Sequence, residues 1–498
     1  MPAPTDARRP PLIDAAGIAA LAFLLRFGIV LFSHGGPGGI YGYDAGVYYS
    51  AADALTFGRV PYHDFIFLHP PGLMLVLTPF AALGRLTTDH AGYITANVFF
   101  NLLAALSAVL VWRIASLWGF TRRAALMGGL FYAGWWGAIS AEVGLRLEPL
   151  GSVVFLIGLY QLTRRRPLLA GLAFGAVCCV KIWWTAPVLL VLIWHLARRE
   201  RRATGARLVA GVGLAAAAIT GPFLALAGSE MTRRVVTDQL GRRYHTQPIV
   251  RIEYLAGLRK AFPSLPTPLV AVAVVVIGAA FVLAIRVAWR QPPARLVVAV
   301  LVAQFIVLMV SPSFFNFYSG FLPGTLALTV AAACQPAPAS PLAPASAGRG
   351  RLDHRTGLVA AGIAALVTLA ALGHSRNVVD PFPGRTFQRA TAGLRCVMTD
   401  SNSALILMNR LSHDLADGCR NWIDVTGHTY FGRAKSDDLS RADNPVWQRD
   451  LQRYLLSGDA VVIARANGTE PSRATLKLVE RNRKIAHGDG FALYRVSR

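Results

Sequence analysis

The sequence has little charge, and acidic residues are especially few. Of its 498 residues, 15% are charged and 54% are hydrophobic, with 26 Asp or Glu against 50 Lys or Arg. This composition excludes an ordinary soluble enzyme and is typical of a polytopic membrane protein. The formal net charge of +24 could indicate nucleic-acid binding. However, much of the arginine lies in short loops between apolar segments, which membrane topology explains better, so we expect no nucleic-acid partner.

Cysteine is scarce as well, with five residues in the chain. Three of them lie in apolar runs. Cys396 and Cys419 instead lie in the polar C-terminal region, and they can form a disulfide if that region faces an oxidising compartment. No repeat of the solenoid type is visible, which argues against a repeat architecture.

Long apolar runs predict a multi-pass protein of the cytoplasmic membrane with about eleven spans of roughly 20 residues. The first run ends without a small-residue cleavage site, so we expect a retained signal anchor. Arginine clusters mark alternate connections, and the positive-inside rule places them and the N-terminus in the cytoplasm. The C-terminal region is then outside. The candidate spans lie near residues 12–33, 91–112, 124–141, 149–163, 167–181, 184–197, 207–227, 268–289, 296–311, 317–334 and 356–373.

After residue 373 the sequence becomes polar. The runs SALILM, DAVVIA and FALYRV resemble strands, and NPVWQRDLQRYLL is amphipathic. We therefore expect an all-α transmembrane domain over residues 1–373 and a small α/β extracytoplasmic domain over 374–498. The Pro/Ala/Ser stretch at residues 336–348 predicts a flexible cytoplasmic connection before the last span.

The first outward loop, residues 41–72, has more ionisable groups than a bilayer surface requires. Asp44 follows the first span and begins a predicted interfacial helix, on whose polar face we expect Asp53 to be solvated. Glycine and proline turns then predict a second short interfacial helix, GLMLVLTPFAALG, which would bring Asp64 and His69 back toward Asp44.

Other outward loops contain charged residues that suit a pocket for an anionic group. Each also has a simpler explanation. A glutamate before a proline favours the helix dipole, a lone lysine can extend to the interface, and a basic cluster attracts anionic lipid. The residues are Glu142, Arg146 and Glu148 in AEVGLRLEPLG, Lys181 in CCVKIWWTAP, and Arg242 and Arg243 in LGRRYHTQP.

With these residues, the chain resembles the GT-C superfamily of membrane glycosyltransferases, in particular bacterial families that use polyprenyl-phosphate sugars. The match lies in the aspartate after the first span and in GRVPYHDFIFLHPPG, RLEPL, GLAFGAVCCVKIWW and SFFNFYSGFLP, and it extends over most of residues 1–334. The first loop lacks an Asp-x-Asp metal motif because Asp44 is followed by Ala45 and Gly46. A divalent cation, Mg or Mn, therefore remains an open expectation.

The resemblance implies an inverting transfer at the outer membrane surface, with Asp44 as the base. A lipid-phosphate leaving group needs no protonation, so the other requirement is cations that stabilise the phosphate. The expected partners are membrane lipids, a polyprenyl-phosphate donor of mannose or arabinose, and a glycan, lipid or protein acceptor. The residues expected to bind substrate are Tyr43, Asp64, His69, Glu142, Arg146, Glu148, Lys181, Arg242 and Arg243.

Three alternatives stay open at this stage. The functional acid could be Asp53, Asp64 or Glu148 in place of Asp44. The chain could be a lipid-linked sugar flippase or transporter, although its charges gather in outward loops and not at the membrane midplane. It could also be a scaffold for envelope assembly, in which case deletion of residues 374–498 would abolish function, whereas an enzyme might lose only acceptor affinity.

Overall fold

The computed structural model of the protein describes residues 12–242, 246–336, 349–430, 434–435, 439–465 and 470–497. Arg243 lies outside the described residues. So does the Pro/Ala/Ser connection, apart from its first residue.

A helix occupies each of the eleven predicted spans. The second half of the third span is a separate short helix, α6, because the chain breaks at Trp135. The eleven helices are α1 (Leu12–Phe32), α4 (Asp89–Leu117), α5 (Arg122–Gly134) with α6 (Trp136–Glu142), α7 (Leu147–Thr163), α8 (Pro167–Cys178), α9 (Thr185–Leu196), α10 (Arg202–Ala227), α15 (Thr267–Trp289), α16 (Arg295–Val310), α17 (Pro323–Ala333) and α18 (Arg349–Leu372).

Only some of these helices are long enough to cross a bilayer unaided. Within the described residues, five helical segments are long and apolar enough to cross a membrane. They contain α1, α4, α10, α15 and α16. The helices α6 and α7 would count together as a sixth span, bent by 117°. Helices such as α8 and α17 are short, because glycine and proline interrupt the apolar runs. The protein is thus multi-pass, and the number of crossings remains a prediction.

The connections between these helices contain the remaining short helices. The first loop forms α2 and α3, at the positions where two interfacial helices are predicted. The loop after α10 is mostly helical as well. These helices are α2 (Tyr43–Thr56), α3 (Gly72–Leu86), α11 (Ser229–Thr232), α12 (Asp238–Leu240), α13 (Pro248–Leu255) and α14 (Leu258–Ala261).

The C-terminal segment, residues 384–497, contains a four-stranded sheet in the order β1-β2-β4-β3. β1 and β2 are parallel, and the other pairs are antiparallel. Cys396 and Cys419 form the predicted disulfide. The elements are α19 (Gly384–Ala390), β1 (Val397–Thr399), α20 (Asn402–Leu407), α21 (Leu411–Ala416), α22 (Pro445–Leu455), β2 (Ala460–Val462), α23 (Arg473–Glu480), β3 (Arg483–Gly488) and β4 (Phe491–Arg495).

One strand prediction is wrong, because SALILM forms α20. Every residue of α20 is buried, and a short run that is apolar on all sides fits a buried helix as well as a buried strand. DAVVIA and FALYRV contain β2 and β4, and the amphipathic stretch is α22. The division into domains at residue 373 and the extracytoplasmic placement remain predictions.

The C-terminal segment packs directly on α2. Apolar residues of the membrane helices and of α20 belong to one continuous core. At Gly46 the two backbones are so close that a Cβ atom would lie 2.5 Å from the amide nitrogen of Ser403. Ser403 also donates a hydrogen bond to the carbonyl of Gly42, at 3.1 Å. The helix that begins with Tyr43 and Asp44 is therefore covered by residues more than 350 positions away.

Candidate functional site

A cavity of about 280 Å³ lies where α2, the outward loops and the C-terminal segment meet. Its walls carry both signs of charge and several aromatic rings. Pockets that combine apolar walls with a few convergent charged groups are the usual form of a ligand site. The charged residues that line it are Asp44, Arg146, Lys181, Arg242, Asp424, Arg441, Arg465 and Glu470.

Asp44 lies in the first turn of α2 and lines the cavity. Burial and the negative charge of Asp424 raise its pKa to about 6, with a smaller contribution from Glu148, while Arg146 and Arg242 oppose the shift. A carboxylate whose pKa is raised toward neutrality is a stronger base than an exposed aspartate and is still ionised at pH 7. The role of Asp44 as the base remains a prediction.

Arg146 and Arg242 supply positive charge without a carboxylate partner. Within the part of the chain that the structure describes, neither guanidinium forms an ion pair. Arg146 donates a hydrogen bond to the carbonyl of Ser140, at 2.8 Å, and lies over the ring of Phe317. Arg242 lies over the ring of Tyr430, and its buried Nε has no hydrogen-bond partner among the described residues. Both arginines are half-buried, and a partly desolvated cation without a carboxylate partner is costly, so this pair suits an anionic ligand.

Lys181 also reaches the cavity, but it is paired. Its ammonium lies 2.8 Å from Oε1 of Glu148 and contacts the rings of Trp183 and Tyr318. Glu148 is buried at the start of α7, and its Oε2 has no hydrogen-bond partner in the described structure. Lys181 and Glu148, both predicted to bind substrate, therefore form an ion pair with each other. Of the two, only Lys181 lines the cavity.

His69 lines the cavity beside Tyr48, with 3.3 Å between Nε2 and the phenol oxygen. Burial and the positive charges of Arg242 and Lys181 hold the pKa of His69 well below its usual range. The imidazole is therefore neutral at physiological pH. It can form a hydrogen bond with a ligand, but it does not add a positive charge to the cavity.

Tyr43 lines the cavity as predicted, although its hydroxyl is already engaged. The phenol donates to Oδ1 of Asp424, at 2.8 Å, and accepts from the amide of Thr426, at 2.9 Å. The guanidinium of Arg465 lies 4.1 Å from the centre of its ring. Tyr43 therefore links α2 to the C-terminal segment.

The prediction that Asp64 joins Asp44 is wrong. Asp64 accepts hydrogen bonds from the amide of Val60 and from His63, both at 2.6 Å. The Val60 amide, followed by His63, lowers the pKa of this carboxyl. Asp64 lines a different cleft, of about 620 Å³. The turn after α2 directs this side chain away from the cavity, and the positions of glycine and proline do not reveal that direction.

The prediction for Glu142 is also wrong. Its carboxylate is fully buried against the guanidinium of Arg26, at 2.8 Å, and accepts a hydrogen bond from Tyr132. The pair joins α1 to α6 and does not line the cavity. Two buried charges that satisfy each other have a structural role. Arg26 and Asp14 are the two charged residues of the first span.

Asp53 is buried and not solvated as predicted. Ser412 Oγ lies 3.0 Å from Oδ2 of Asp53 and 2.5 Å from Oδ1 of Asp89. A hydroxyl has one hydrogen to donate, so Ser412 cannot donate fully to both carboxylates. Burial and the charge of Asp89 raise the pKa of Asp53 to about 7. The contact between Asp53 and Ser412 helps to hold α2 against α21.

Four charged residues of the cavity were not predicted from the sequence. Arg441 and Arg465 both contact Oε1 of Glu470, at 2.7 and 3.5 Å, and Asp424 is the fourth. All four lie in the polar C-terminal segment, where charged residues are ordinary. No local pattern distinguished them, because their role depends on contacts with a loop nearly 400 residues earlier.

The predicted divalent cation remains a prediction. Among the described residues, no group of three or more His, Cys, Asp or Glu side chains is placed to hold a metal ion. The residues present thus do not form a recognisable metal site, and no step proposed below passes through a metal.

We predict that Asp53→Asn removes a pH dependence of stability. The folded protein raises the pKa of Asp53 to about 7, above its unfolded value of about 3.9. Protonation of Asp53 therefore stabilises the fold fully at pH values below about 3.9, and this stabilisation is lost as the pH rises through about 7. The wild-type Tm should therefore fall, relative to that of the variant, between about pH 5 and pH 8. Thermal unfolding in detergent measures both, with Asp450→Asn as a control at an exposed aspartate of α22. Parallel curves for wild type and Asp53→Asn would contradict the assignment.

Comparisons with known proteins agree with this geometry. The sequence model of glycosyltransferase family 87 matches residues 67–312, just under half of the chain. No curated protein sequence matches. The chain is similar to ArnT from Cupriavidus metallidurans bound to undecaprenyl phosphate, with TM-score 0.60 and 15% identity over 97% of this chain and 98% of ArnT.

Archaeal structures are similar as well. The Archaeoglobus fulgidus oligosaccharyltransferase in complex with zinc and sulfate gives TM-score 0.55 and 13% identity over 97% of this chain and 73% of that one. The oligosaccharyltransferase AglB from the same organism, with an inhibitory peptide and a dolichol-phosphate, gives TM-score 0.50 and 12% identity over 98% and 74%. Together with the family match, these structures confirm the predicted resemblance to the GT-C superfamily. The family match and these structures support a membrane glycosyltransferase.

Proposed function

Because the chain has the fold of the GT-C membrane glycosyltransferases, we propose that it transfers a sugar from a polyprenyl-phosphate donor to a hydroxyl of a glycan, lipid or protein acceptor. The reaction occurs at the outer face of the cytoplasmic membrane and inverts the anomeric centre. One observation carries the proposal: a single cavity holds an aspartate of raised pKa and two arginines without carboxylate partners among the described residues.

In the proposed reaction, Asp44 accepts the proton of the acceptor hydroxyl as its oxygen attacks C1 of the sugar. The bond from C1 to the phosphate oxygen breaks, and the polyprenyl phosphate leaves with the electron pair. Arg146 and Arg242 stabilise the charge that develops on this phosphate, an effect that is strong in a cavity with little water. Displacement on one face, without a covalent intermediate, inverts the configuration.

Space for the lipid part of the donor lies beside Arg146. A cleft of about 800 Å³ is lined by apolar residues of α13, α14 and the loop before α15, together with the charged Glu253, Arg259 and Lys260. Arg146 lines both this cleft and the cavity. α15 exposes most of its apolar surface, as a lipid-facing helix does. The similarity to ArnT bound to undecaprenyl phosphate supports a polyprenyl chain here. Mannose and arabinose are the first sugars to test.

We predict that Asp44→Asn lowers kcat/KM by about 10²- to 10⁴-fold, because positioned general-base catalysis is worth about that much. Incubation of the purified protein in nanodiscs with radiolabelled polyprenyl-phosphate sugars and membrane-extracted acceptors measures the product. Asp64→Asn is the matched control, since it alters an aspartate of the same loop outside the cavity, and it should retain activity. Undiminished transfer by a folded Asp44→Asn protein would refute the assignment of the base.

The pH dependence of kcat/KM should follow the ionisation of Asp44. Since the base must be deprotonated, activity should fall as pH decreases through about 6, by about tenfold per pH unit well below that value. An acid limb near the ordinary aspartate pKa of about 3.9 would show that another group, or an unperturbed carboxylate, limits the reaction.

We predict that Arg146→Gln and Arg242→Gln each reduce kcat/KM for the lipid donor by about 10- to 100-fold, since each removes a charge-assisted contact to phosphate. Initial rates at varied donor concentration measure the effect. Arg233→Gln, at a half-exposed arginine of the same outward loop, is the control and should change little. Equal, small effects of all three substitutions would contradict a phosphate site in the cavity.

A further inference from the structure

Asp424 places a second carboxylate in the cavity that contains Asp44. It precedes the 3-10 turn Thr426–Tyr430 in the C-terminal segment and is 6% exposed. In the proposed reaction Asp44 alone accepts a proton, so Asp424 has no assigned role. A buried carboxylate is costly to place beside another of like charge, and its presence in a catalytic cavity requires an explanation.

Asp424 is held firmly by one of its two oxygens. Oδ1 accepts hydrogen bonds from the phenol of Tyr43 at 2.8 Å, from the amide of Gly427 at 2.9 Å and from the hydroxyl of Thr426 at 3.1 Å. A Cβ atom at Gly427 would lie 2.7 Å from Oδ2, so the turn fits closely around the carboxylate. These contacts hold the carboxylate of Asp424 in place, and among the described residues no cationic side chain lies within ion-pair distance of it.

The same contacts fix the position of Asp44. Tyr43 is its neighbour in the chain, and the phenol of Tyr43 is bound on one side by Asp424 and on the other by the Thr426 amide. Ser403 binds the carbonyl of Gly42, the residue just before α2. The first turn of α2 is therefore positioned by the C-terminal segment at residues on both sides of its start.

Asp424 also acts on Asp44 through space. Asp424 and Glu148 contribute negative charge near the carboxyl of Asp44, whereas Arg146 and Arg242 contribute positive charge. Among these groups, Asp424 has the largest effect after burial. The cavity lining also contains the neutral side chains of Tyr48 and His69, the paired Lys181, and Arg441 and Arg465 with their common partner Glu470. A second negative charge makes Asp44 a stronger base, and proton transfer to a stronger base that is still ionised is faster.

We propose that Asp424 is a positioning residue of the transfer reaction, which places Asp44 through Tyr43 and faces it with a second negative charge. This inference rests on the proposed function of Asp44. It assigns part of the catalytic apparatus to the C-terminal segment. Deletion of residues 374–498 should therefore abolish transfer and not merely weaken acceptor binding, so such a loss would not identify a scaffold.

The test is the pH dependence of kcat/KM in the full-length protein. In Asp424→Asn, the acid limb should move to lower pH by about 0.5 to 1 unit, and kcat on the plateau should fall by about 3- to 10-fold, because the base is weaker. Asp424→Glu keeps the charge, so its acid limb should stay near the wild-type position even if kcat falls. Asp414→Asn alters another buried carboxylate of the segment, outside the cavity, and should leave the limb unmoved.

The outcomes separate the two proposals. If Asp44→Asn is inactive but the acid limb of Asp424→Asn stays at the wild-type pH, Asp424 does not act on the base and this inference fails alone. A limb shifted equally in Asp424→Glu and Asp424→Asn would also overturn it, because the charge would then not matter. If Asp44→Asn transfers sugar normally, the proposed function itself fails. Should Asp424→Asn not fold, the limb of Asp424→Glu against that of Asp414→Asn still decides, since a shift in the glutamate variant contradicts the proposal.

Discussion

The hydrogen bonds that hold Tyr43 between Asp424 and the amide of Thr426 are the contact on which the site depends. They join a helix of the first outward loop to a segment that folds as a mixed sheet near the end of the chain. Without them, the cavity would lose one wall and Asp44 would lose its fixed direction. Two further contacts continue along α2. Gly46 approaches Ser403 closely, and Asp53 contacts the hydroxyl of Ser412. One face of α2 therefore packs against the C-terminal segment from its first turn to near its end.

The charged side chains discussed above fall into two groups. Those in close ion pairs have a structural role, and those without a close carboxylate partner are available to a ligand. Arg26 with Glu142, and Lys181 with Glu148, form close pairs that offset the desolvation of both groups. Arg146 and Arg242 have no such partner among the described residues. An anion that enters the cavity supplies the close negative partner that both arginines lack, which is the property expected of a site that binds a phosphate and releases it after transfer.

Much of the site could be predicted from the sequence where a charge was locally out of place. Asp44, Arg146 and Lys181 all stand beside apolar runs, and the cost of charge near a bilayer made them conspicuous. Arg242 was conspicuous as part of the basic cluster in LGRRYHTQP. Glu142 was conspicuous for the same reason, but composition cannot show that its partner is Arg26 in another helix. Helix positions were predictable because apolar length is a local property.

The remaining features depend on contacts between distant parts of the chain. Asp53 is buried because α21, some 359 residues later, covers it, and periodicity indicates only the face on which a residue lies. Asp424 and Arg465 lie in a polar segment where charges carry no information until the fold brings them to Tyr43. The direction of Asp64 was set by turn geometry, which glycine and proline mark but do not specify.

The most direct test of the central claim is the anomeric configuration of the product. Wild-type protein would be given a polyprenyl-phosphate sugar of known configuration, and the new glycosidic bond would be analysed by NMR together with the released lipid. A single displacement with Asp44 as base predicts inverted configuration and one polyprenyl phosphate released for each bond formed. Retained configuration would instead require a covalent or otherwise two-step reaction, and it would contradict the role assigned to the cavity.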